Sequence, residues 1–534
     1  MYITSVPNRN SPPAILLRES FREDGKVKTR TIANLSHWQP ERIEAMRRAL
    51  RGEFDGITGD PERGAIFGVL FALKQLADQL GITQALGRSK LAHLALFLVL
   101  ARIAHGGSRL SAVRWAQQHA VEDVLSVASF DEDDLYAALD WLAGQQEMIE
   151  KSLFHAHVER TGHTPVLMLY DVTSSYFEGE CNELAAFGYN RDGKSGKQQI
   201  VVGLLTAADG EPLAVRVFEG NTADTSTVGE QIRLLKEQFG AEEVILVGDR
   251  GMIKAKGKKA LANEGWRYIT ALTDAQVRTL LKRNILQPGL FDTDLTEVEY
   301  EDKRLILRRN ESTRHREQLR RKDKLERLKE NIDKRNAYVK EHPRAKGETG
   351  LKQLQQWVKH HKLSQFVTVS LEERMLSLTI DEQAMERNAL LDGCYTLETD
   401  VSTKLMDTAT VAARYLDLQQ VERNFRTMKT GFLEVRPVFL RNAERTKAHV
   451  FVAMLALKIT RAFESKLHQV FGTTDDDPKA ITLADALLAL SRITYNIHDC
   501  NGQTKSCLPR LDAQQSSILS ALGLSFPKAN TSRV

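Results

Sequence analysis

The sequence predicts a mixed α/β core that is interrupted by an α+β insertion. A mainly helical domain precedes this core and a helical region follows it. Three observations support this fold class. The spacing of apolar residues changes at Thr164 from a helical pattern to short, strand-length runs. A strongly charged stretch from residue 273 to about 399 separates these runs from a helix-like segment at 413–429. After residue 445 the apolar residues return to helical spacing.

The N-terminal part is predicted to contain a β-hairpin followed by helices. Residues 14–35 hold two strand-like runs around Glu23-Asp24-Gly25, which is a good turn signal. Such a ribbon is most often a small exposed sheet, but its cations also allow nucleic-acid contact: Arg18, Arg22, Lys26, Lys28 and Arg30. Residues 40–162 have helical spacing, with a short basic helix at 109–118. A basic turn and helix is typical of DNA-binding modules and also of many helical bundles.

Five strands and two helices are predicted for residues 164–272. In chain order they are strands at 166–170, 200–206 and 212–218, a helix at 226–239, a strand at 244–248, a helix at 256–263 and a strand at 268–272. Asp171 stands at the end of the first strand, and Asp249 at the end of the fourth. An antiparallel opening followed by parallel crossovers is the order of the ribonuclease H-like fold.

Residues 273–399 are predicted not to continue this sheet. They include a charged helix at 311–342, along which Leu325, Leu328, Ile332 and Val339 form a narrow seam. This helix is more typical of a solvated or helix-pairing surface than of a DNA clamp. The predicted domains are 1–38 (hairpin), 39–162 (helical, DNA-binding), 163–272 (core, first part), 273–400 (insertion), 401–445 (core, second part) and 446–534 (helical).

Composition excludes several classes of protein. Lys and Arg number 74 against 70 Asp and Glu, a net charge of +4 that does not by itself require a nucleic-acid partner. Four cysteines in 534 residues favour a reducing compartment, and Cys500, Cys507 and His498 have the spacing of no common zinc site. The N-terminus lacks the apolar core of a signal peptide, and the most apolar run is shorter than the ~20 residues of a membrane span. We therefore expect a cytoplasmic protein without a membrane partner.

Three polar side chains share one side of the segment 413–429, which is predicted to be a single helix because it contains neither Gly nor Pro. Tyr415, Glu422 and Lys429 follow one another at intervals of seven residues, about two helical turns. Taken alone, such a row is most often a solvated face with a spaced salt bridge.

Two aspartates are expected to meet Glu422 at the sheet. Side chains at the ends of adjacent strands point to one mouth, so Asp171 and Asp249 converge there. Taken separately, Asp171 is explained as a strand-end cap and Asp249 as a turn residue. Three carboxylates without His or Cys suit Mg²⁺, with Mn²⁺ as a substitute, and two such ions promote phosphodiester cleavage. Glu398 and Glu434 are the alternatives to Glu422.

Three sequence blocks carry these residues. LMLYDVTSSYFEG contains Asp171, VILVGDRGM contains Asp249, and Tyr415, Glu422 and Lys429 match the signature Tyr-x2-Arg-x3-Glu-x6-Lys. With these blocks the chain resembles the insertion-sequence transposases with an Asp-Asp-Glu core. Within them it is similar to a long-chain group of the superfamily named after insertion sequence four. The similarity covers about residues 164–460.

The resemblance implies a transposase that binds the ends of its own element, cleaves them with two Mg²⁺ ions and joins them to target DNA. It implies that Asp171, Asp249 and Glu422 hold the metal and that Tyr415, Lys429 and Arg250 contact DNA. The signature Arg falls at Leu418, so either Arg414, one turn earlier, replaces it or the DNA grip is weaker.

The resemblance also implies a homodimer in the synaptic complex and a bacterial protein that associates with the nucleoid when it is bound to double-stranded DNA. Two alternative functions remain open at this point. One is a related nuclease or recombinase that cuts DNA without strand transfer. The other is a DNA-binding protein that has lost catalysis.

Overall fold

The structure is a computed structural model of the chain. It describes residues 1–9, 12–23, 25–51, 62–179, 181–189, 191, 193–194, 196–250, 252–291, 295–429, 433, 435, 438–473, 477, 480–500 and 503–527. The chain forms two compact units. The first comprises Met1–Leu76, Leu110–Ser129 and Ala462–Val534, and the second comprises Ala77–Arg109 and Phe130–Arg461. The finer six-domain division stays a prediction.

The strands of the described residues are β1 (Tyr2–Val6), β2 (Ala14–Glu23), β3 (Lys26–Asn34), β4 (Glu62–Ile66), β5 (Leu167–Tyr176), β6 (Gln199–Ala207), β7 (Pro212–Glu219), β8 (Ile245–Gly248), β9 (Arg267–Ala271), β10 (Thr296–Tyr300), β11 (Lys303–Arg309), β12 (Val367–Glu372), β13 (Met375–Ile380), β14 (Cys394–Thr399), β15 (Thr494–Cys500) and β16 (Gln503–Cys507).

The α-helices of the same residues are α1 (Pro40–Leu50), α2 (Gly68–Gln79), α3 (Ile82–Leu86), α4 (Lys90–Ala104), α5 (Arg109–Ala116), α6 (Val121–Leu125), α7 (Glu132–Thr161), α8 (Asp224–Arg233), α9 (Ala255–Asn263), α10 (Asp274–Lys282), α11 (Glu311–Glu341), α12 (Gly347–His360), α13 (Glu382–Ala389), α14 (Thr408–Leu416), α15 (Leu418–Lys429), α16 (Ala443–Phe471), α17 (Leu483–Ser491) and α18 (Ala513–Ala521). A π-helical stretch, Leu234–Gln238, continues α8.

The first unit contains two three-stranded sheets. The predicted hairpin is present as β2 and β3, with Glu23 opposite Lys26 and Gly25 at φ 76°, a left-handed conformation that glycine adopts without strain. Asp24 of its turn lies outside the described residues. Strand β1 extends the hairpin to the order β1-β2-β3 and was not predicted.

The second sheet of this unit corrects the expectation of a purely helical C-terminal region. Its order is β16-β15-β4, so strands from the C-terminal region pair with one from the N-terminal part. The sequence signal for these strands was the Asn501-Gly502 dipeptide, a hairpin-type pair between two short runs of mixed polarity.

The second unit is built on a mixed eight-stranded sheet of order β10-β11-β14-β9-β8-β5-β6-β7. Strands β5, β6 and β7 form an antiparallel meander, and β8 and β9 run parallel to β5. All five strands predicted between residues 164 and 272 are present. Their apolar side chains, among them Met168, Leu205, Leu246 and Tyr268, form one buried core with α8 and α9.

The expectation that residues 273–399 leave this sheet is wrong. Strand β14 pairs with β9, and β11 and β10 follow it outward. An exposed edge strand leaves its backbone N–H and C=O groups without partners, and β14 supplies those partners along Ile269, Thr270 and Ala271. The sequence of β10 and β11 has the pattern of a hairpin, but it gave no sign that these two strands belong to the main sheet.

The rest of the insertion packs around α11. Its seam residues Leu328 and Ile332 are buried against α12 and the β12–β13 hairpin, with Leu325 partly buried beside them. The seam that suggested helix pairing is therefore filled within the same chain.

The apolar helix α4 packs against α3 and α7 and has mostly buried side chains. No single helix of the described residues has the length and hydropathy of a membrane span; α4 and α5 meet those criteria only when taken together as a bent pair.

Candidate active site

The two aspartates lie side by side on neighbouring parallel strands. Tyr170 on β5 pairs with Gly248, the last residue of β8. The residues that follow them, Asp171 and Asp249, are therefore neighbours across the two strands. Asp249 follows β8 as predicted. Asp171 does not end its strand, because β5 continues to Tyr176 by pairing with β6. Residues 172–175 are buried although three of them are polar, and this burial explains why the strand was predicted too short.

Two helices, instead of the single helix predicted for 413–429, deliver the remaining side chains. Helix α14 ends at Leu416, and α15 begins at Leu418. At Asp417 the backbone tightens: the Gln420 N–H donates to Asp417 O at 2.8 Å, an i→i+3 bond. Helix α14 packs on β8 and β9, and α15 packs on β5 and β6, so both helices lie across the strands that carry the aspartates.

Tyr415 and Lys429, the two ends of the predicted row of side chains, nevertheless both contact the region of the aspartates. The Tyr415 hydroxyl donates to Asp249 Oδ1 at 3.3 Å. Lys429 Nζ donates to the Thr173 hydroxyl, two residues along β5 from Asp171. Glu422 lies between these two contacts in sequence, and its side chain is exposed. The buried face of α15, which includes Val421, Phe425 and Met428, fixes this orientation.

The three carboxylates act on one another electrostatically. Burial, opposed by a hydrogen bond from the Val172 N–H and reinforced by the charges of Asp249 and Glu422, raises the pKa of Asp171 to about 7. Arg191 works in the opposite direction. Burial, and then the charge of Asp249, also raise the pKa of Tyr415, so this phenol stays protonated and remains a donor.

An oxygen-only donor set whose negative charges oppose each other fits a hard divalent cation. The fit concerns chemistry more than geometry, because within the described residues no group of three or more His, Cys, Asp or Glu side chains is gathered closely enough to hold a metal ion. The site residues are therefore neighbours whose carboxylates do not yet form a ligand shell.

The alternative acid Glu398 lies in a different environment. It accepts hydrogen bonds from the Tyr268 hydroxyl and from Lys258 Nζ at 2.9 Å, and Lys303 Nζ is 3.3 Å away. Its charge is thus compensated by two cations. Glu434 lies outside the described residues. Of the two cysteines whose spacing fits no common zinc site, the side chain of Cys500 also lies outside them, and Cys507 is a free thiol.

The predicted DNA-contacting arginines are both in ion pairs. Arg250 Nη1 lies 2.7 Å from Asp274, and Arg414 Nη1 lies 3.0 Å from Asp417 at the break between α14 and α15. Leu418, where the signature Arg was expected, is only 7% exposed. The apolar residue therefore suits its buried position, and a guanidinium there would have to displace packing.

A cleft of about 870 Å³ opens beside Tyr415 and Arg250 and extends toward the insertion. It has six cationic side chains and three acidic ones, Asp274, Glu317 and Asp392. The cations are Arg250, Arg278, Arg320, Arg321, Lys324 and Lys362. Arg321 pairs with Asp392, whereas Lys324 donates to a neutral carbonyl, His361 O, at 3.3 Å.

The first half of α11 lines this cleft, a position that its charge pattern did not reveal. Glu317 Oε2 accepts a hydrogen bond from the Gly393 N–H at 2.8 Å, which attaches the helix to the start of β14. Sequence analysis also missed Thr173 and Arg191. Neither residue has a sequence signal of its own. Thr173 is linked to the site by its hydrogen bond with Lys429, and Arg191 by the effect of its charge on Asp171, and both partners are distant or unmarked in the sequence.

Asp171 on β5, Asp249 directly after the neighbouring parallel strand β8, a carboxylate from a packed helix and a cationic cleft together define a site for a polyanionic substrate. Residues 162–459 match the family described as transposase DDE domain, so the chain belongs to the DDE transposases. Residues 3–60 match the N-terminal domain of the IS1634 family transposases. The expected identity as an insertion-sequence DDE transposase is confirmed, and the protein is a DNA-cleaving enzyme.

No curated protein matches the chain. Among solved structures, a piggyBac transposase synaptic complex with hairpin DNA is similar at a TM-score of 0.36 and 9% identity, over 81% of each chain. A structural similarity this low supports no conclusion about this protein.

Proposed function

We propose that Asp171, Asp249 and Glu422 hold two divalent ions, Mg²⁺ with Mn²⁺ as a substitute, and that this site cleaves the ends of the protein's own mobile element. The observation that carries the proposal is that three carboxylates from three elements, β5, the end of β8 and α15, lie near enough for the charges of Asp249 and Glu422 to act on Asp171. The strand order β7-β6-β5-β8-β9 supports a ribonuclease H-like core around them.

When bound, the ions would activate the attacking oxygen and stabilise the leaving oxygen of a phosphodiester. The side chains supply positioning. The protonated phenol of Tyr415 orients Asp249, and Lys429 is held on β5 near Asp171. The remaining N–H groups of Lys429 offer hydrogen-bond donors to a phosphate that enters between the strands and α15. Strand transfer repeats the same displacement, with the freed 3′-hydroxyl attacking target DNA in place of water.

We infer that double-stranded DNA runs along the cationic cleft, where an excess of cations over acids favours phosphate backbones. Arg250 reaches the same cleft, and Arg414 lies beside Tyr415 in sequence, so both are proposed as DNA contacts. We further propose that the N-terminal residues 1–160 recognise the element ends, that two copies act as a homodimer in the synaptic complex, and that the protein works in the cytoplasm without a membrane partner.

The test is an assay with a labelled duplex taken from the DNA that borders the gene, in Mg²⁺ and in EDTA. Cleavage and joining that require Mg²⁺ are expected from the wild-type protein. The variant Asp249→Asn should bind the duplex and leave it intact. The exposed Glu444→Gln on α16 is the matched control and should behave as the wild type.

Cleavage without joining would identify a nuclease or recombinase in place of a strand-transferring enzyme. Binding alone would identify a protein that has lost catalysis. Cleavage by Asp249→Asn at the wild-type rate would show that the acidic site is elsewhere.

A further inference from the structure

The buried side of helix α15 is apolar except at one position. Its five buried residues are Leu418, Val421, Asn424, Phe425 and Met428. Asn424 is only 1% exposed, although asparagine is a weaker helix former than leucine and loses its hydrogen bonds to water on burial. A leucine would suit both the helix and the core, so the amide at this position needs a reason of its own.

The Asn424 amide is hydrogen-bonded through both of its polar atoms. Its Nδ2 donates to Gly210 O at 2.8 Å, and its Oδ1 accepts from Arg461 Nε at 2.7 Å. Gly210 lies in the turn between β6 and β7, whereas Arg461 lies on α16. This single side chain therefore ties α15 to the sheet and to a second helix.

The turn that holds Gly210 approaches α15 closely. Gly210 has φ 85°, a left-handed conformation that glycine adopts without strain. A Cβ at this position would lie 2.8 Å from the Cβ of Gln420, which is on the same helix as Asn424. The hydrogen bond from Asn424 to Gly210 O therefore spans a contact in which the turn and the helix already touch.

Apolar contacts alone would leave the rotation of α15 weakly defined, because hydrophobic attraction has no preferred angle. Hydrogen bonds are directional, and two of them with partners on different elements restrict both rotation and sliding of the helix. Glu422 lies two residues before Asn424, about 200° around the helix, so a rotation at one moves the other. A helix with its side chains is about 10–12 Å across, so a rotation of roughly 20° moves a surface carboxylate by about 2 Å.

The polar side chains of α15 depend on this orientation. Lys429 Nζ donates to the Thr173 hydroxyl on β5, and the charge of Glu422 acts on Asp171. Metal–ligand distances vary by only about 0.2 Å, which is much less than the displacement caused by a small rotation. The two hydrogen bonds of Asn424 are therefore a means of keeping Glu422 and Lys429 in place.

We propose that Asn424 is a positioning residue, which sets the rotation of α15 and so directs Glu422 and Lys429 toward the strands that carry the aspartates. This inference rests on the proposed function, since it takes Glu422 as a ligand of the divalent ion. Leucine could not perform this task at the same position. Aspartate would perform it less well, because Gly210 O needs a hydrogen-bond donor.

The experiment compares Asn424→Ala and Asn424→Asp with the wild-type full chain. Alanine removes both hydrogen bonds, whereas aspartate keeps an acceptor for Arg461 and loses the donor to Gly210 O. The matched control is Asn336→Ala in the insertion, where the amide is also bonded through both polar atoms. Asn336 Nδ2 donates to Leu376 O at 2.9 Å, and its Oδ1 accepts from the Leu376 N–H at 2.8 Å.

Two quantities are measured for each folded variant. The first is the Mg²⁺ concentration that gives half-maximal nicking of a duplex taken from the DNA that borders the gene. The second is the rise in the denaturant midpoint when Mg²⁺ is added without DNA, which reports metal binding independently of cleavage.

All three variants should lower the denaturant midpoint in EDTA. Only the Asn424 variants should need more Mg²⁺, about 10- to 100-fold more for Asn424→Ala and less for Asn424→Asp, because residues that hold a metal ligand in place affect affinity to this extent. High Mg²⁺ should recover part of their nicking, unlike that of Glu422→Gln. The control Asn336→Ala should show the wild-type Mg²⁺ dependence in both measurements.

Wild-type Mg²⁺ dependence in both Asn424 variants would overturn the inference and leave Asn424 as a residue that only stabilises the fold. If Asn424→Ala does not fold, the same two outcomes are read from Asn424→Asp. An equal increase in the Mg²⁺ requirement of Asn336→Ala would also overturn it, since lost stability would then explain the effect. Failure of the proposed function is distinguishable, because the wild type itself would show neither Mg²⁺-dependent nicking nor a Mg²⁺-dependent midpoint.

Discussion

Two clusters of charged side chains lie on the same sheet and differ in how their charge is compensated. At the first, Asp171, Asp249 and Glu422 bring three negative charges together. At the second, Glu211, just before β7, receives Lys458 from α16 and Arg160 and His157 from α7. In the first cluster the carboxylates repel one another. In the second the carboxylate of Glu211 forms ion pairs with the surrounding basic side chains.

The second cluster is also the more deeply buried. Lys458 is only 2% exposed, and its ammonium group donates to Glu211 and to Pro212 O at 3.2 Å. Burial alone would raise the pKa of Glu211. The hydrogen bond from His157 and the charge of Lys458 outweigh that effect and hold the pKa of this carboxyl well below its ordinary value.

The difference indicates what each cluster is for. A buried charge that already has its partners contributes to holding the chain together, and removing one partner leaves another charge stranded. A group of like charges without a cation is costly to the folded protein and is maintained where a ligand supplies the opposite charge. The comparison therefore separates a structural cluster from a functional one without reference to activity.

The largest effect is expected from Glu422→Gln. The substitution keeps the shape of the side chain and removes the charge that is proposed to hold the metal, so Mg²⁺-dependent nicking should fall by several orders of magnitude while melting and DNA binding stay near the wild type. Asp171→Asn and Asp249→Asn should lose activity to a similar extent. Combining any two should cost little more, because residues that act as a unit are not additive. Nicking by Glu422→Gln at near the wild-type rate would move the catalytic acid elsewhere.

Lys458→Met should have the opposite effect: it should lower stability and leave nicking unchanged. Loss of the buried ammonium leaves Glu211 partly uncompensated, and unfolding by denaturant should show a loss of ~3 kcal/mol. The matched control is Lys447→Met on the same helix, whose exposed pair with Glu444 should be worth less than ~1 kcal/mol. Nicking per folded molecule should not change. Equal stability of the two variants would remove the distinction between the clusters.

The structural cluster should also make the protein sensitive to acid. The pKa of Glu211 is lower in the folded than in the unfolded chain, so its stabilising contribution is complete above the ordinary value of 4.5 and is lost as the pH falls below it. The groups facing Glu211 are His157, Arg160 and Lys458. Denaturant midpoints of the wild type and Glu211→Gln should differ most near neutral pH and converge in acid. A difference between the two midpoints that grows as the pH falls would contradict the stabilising role of the Glu211 carboxylate.

The smallest effect is expected from Arg414→Ala. Its pair with Asp417 is partly exposed, so the cost in stability should be under ~1 kcal/mol, and end binding should weaken modestly through the lost cation. Adding Leu418→Arg should not restore binding, because position 418 is buried. The measurement is a gel shift of the element-end duplex at two salt concentrations. Recovery by Leu418→Arg would show that this side chain can turn outward to the DNA.

The sequence was sufficient to predict the strands that position the site. Apolar runs define β5, β8 and β9, and Asp249 stands where the apolar run of β8 stops. It was not sufficient for the far end of β5, since residues 172–175 are buried by pairing with β6 and not by their own hydropathy.

Other features depend on contacts between distant residues. Strand β14 joins the sheet because β9 has an open edge, and the break at Asp417 arises where α14 and α15 rest on different strands. The backbone of Tyr189 is held by the side chain of Gln199, a polar residue whose burial no local pattern indicates. Spacing alone could place Tyr415, Glu422 and Lys429 on one side, and only the fold shows that Tyr415 and Lys429 touch the strands of the aspartates.

The central claim is the proposal that Asp171, Asp249 and Glu422 bind a divalent cation, and the stability of Asp171→Asn tests it most directly. Unfolding by denaturant is measured for the wild type and the variant in EDTA and again in Mg²⁺. Burial, and then the charges of Asp249 and Glu422, disfavour the ionised form of Asp171, so removing its charge should raise stability in EDTA by roughly 1 kcal/mol or more near neutral pH. Mg²⁺ should stabilise the wild type more than the variant, because a ligand that binds the folded state adds to its stability. A variant that is less stable than the wild type in EDTA and gains equally from Mg²⁺ would contradict the account.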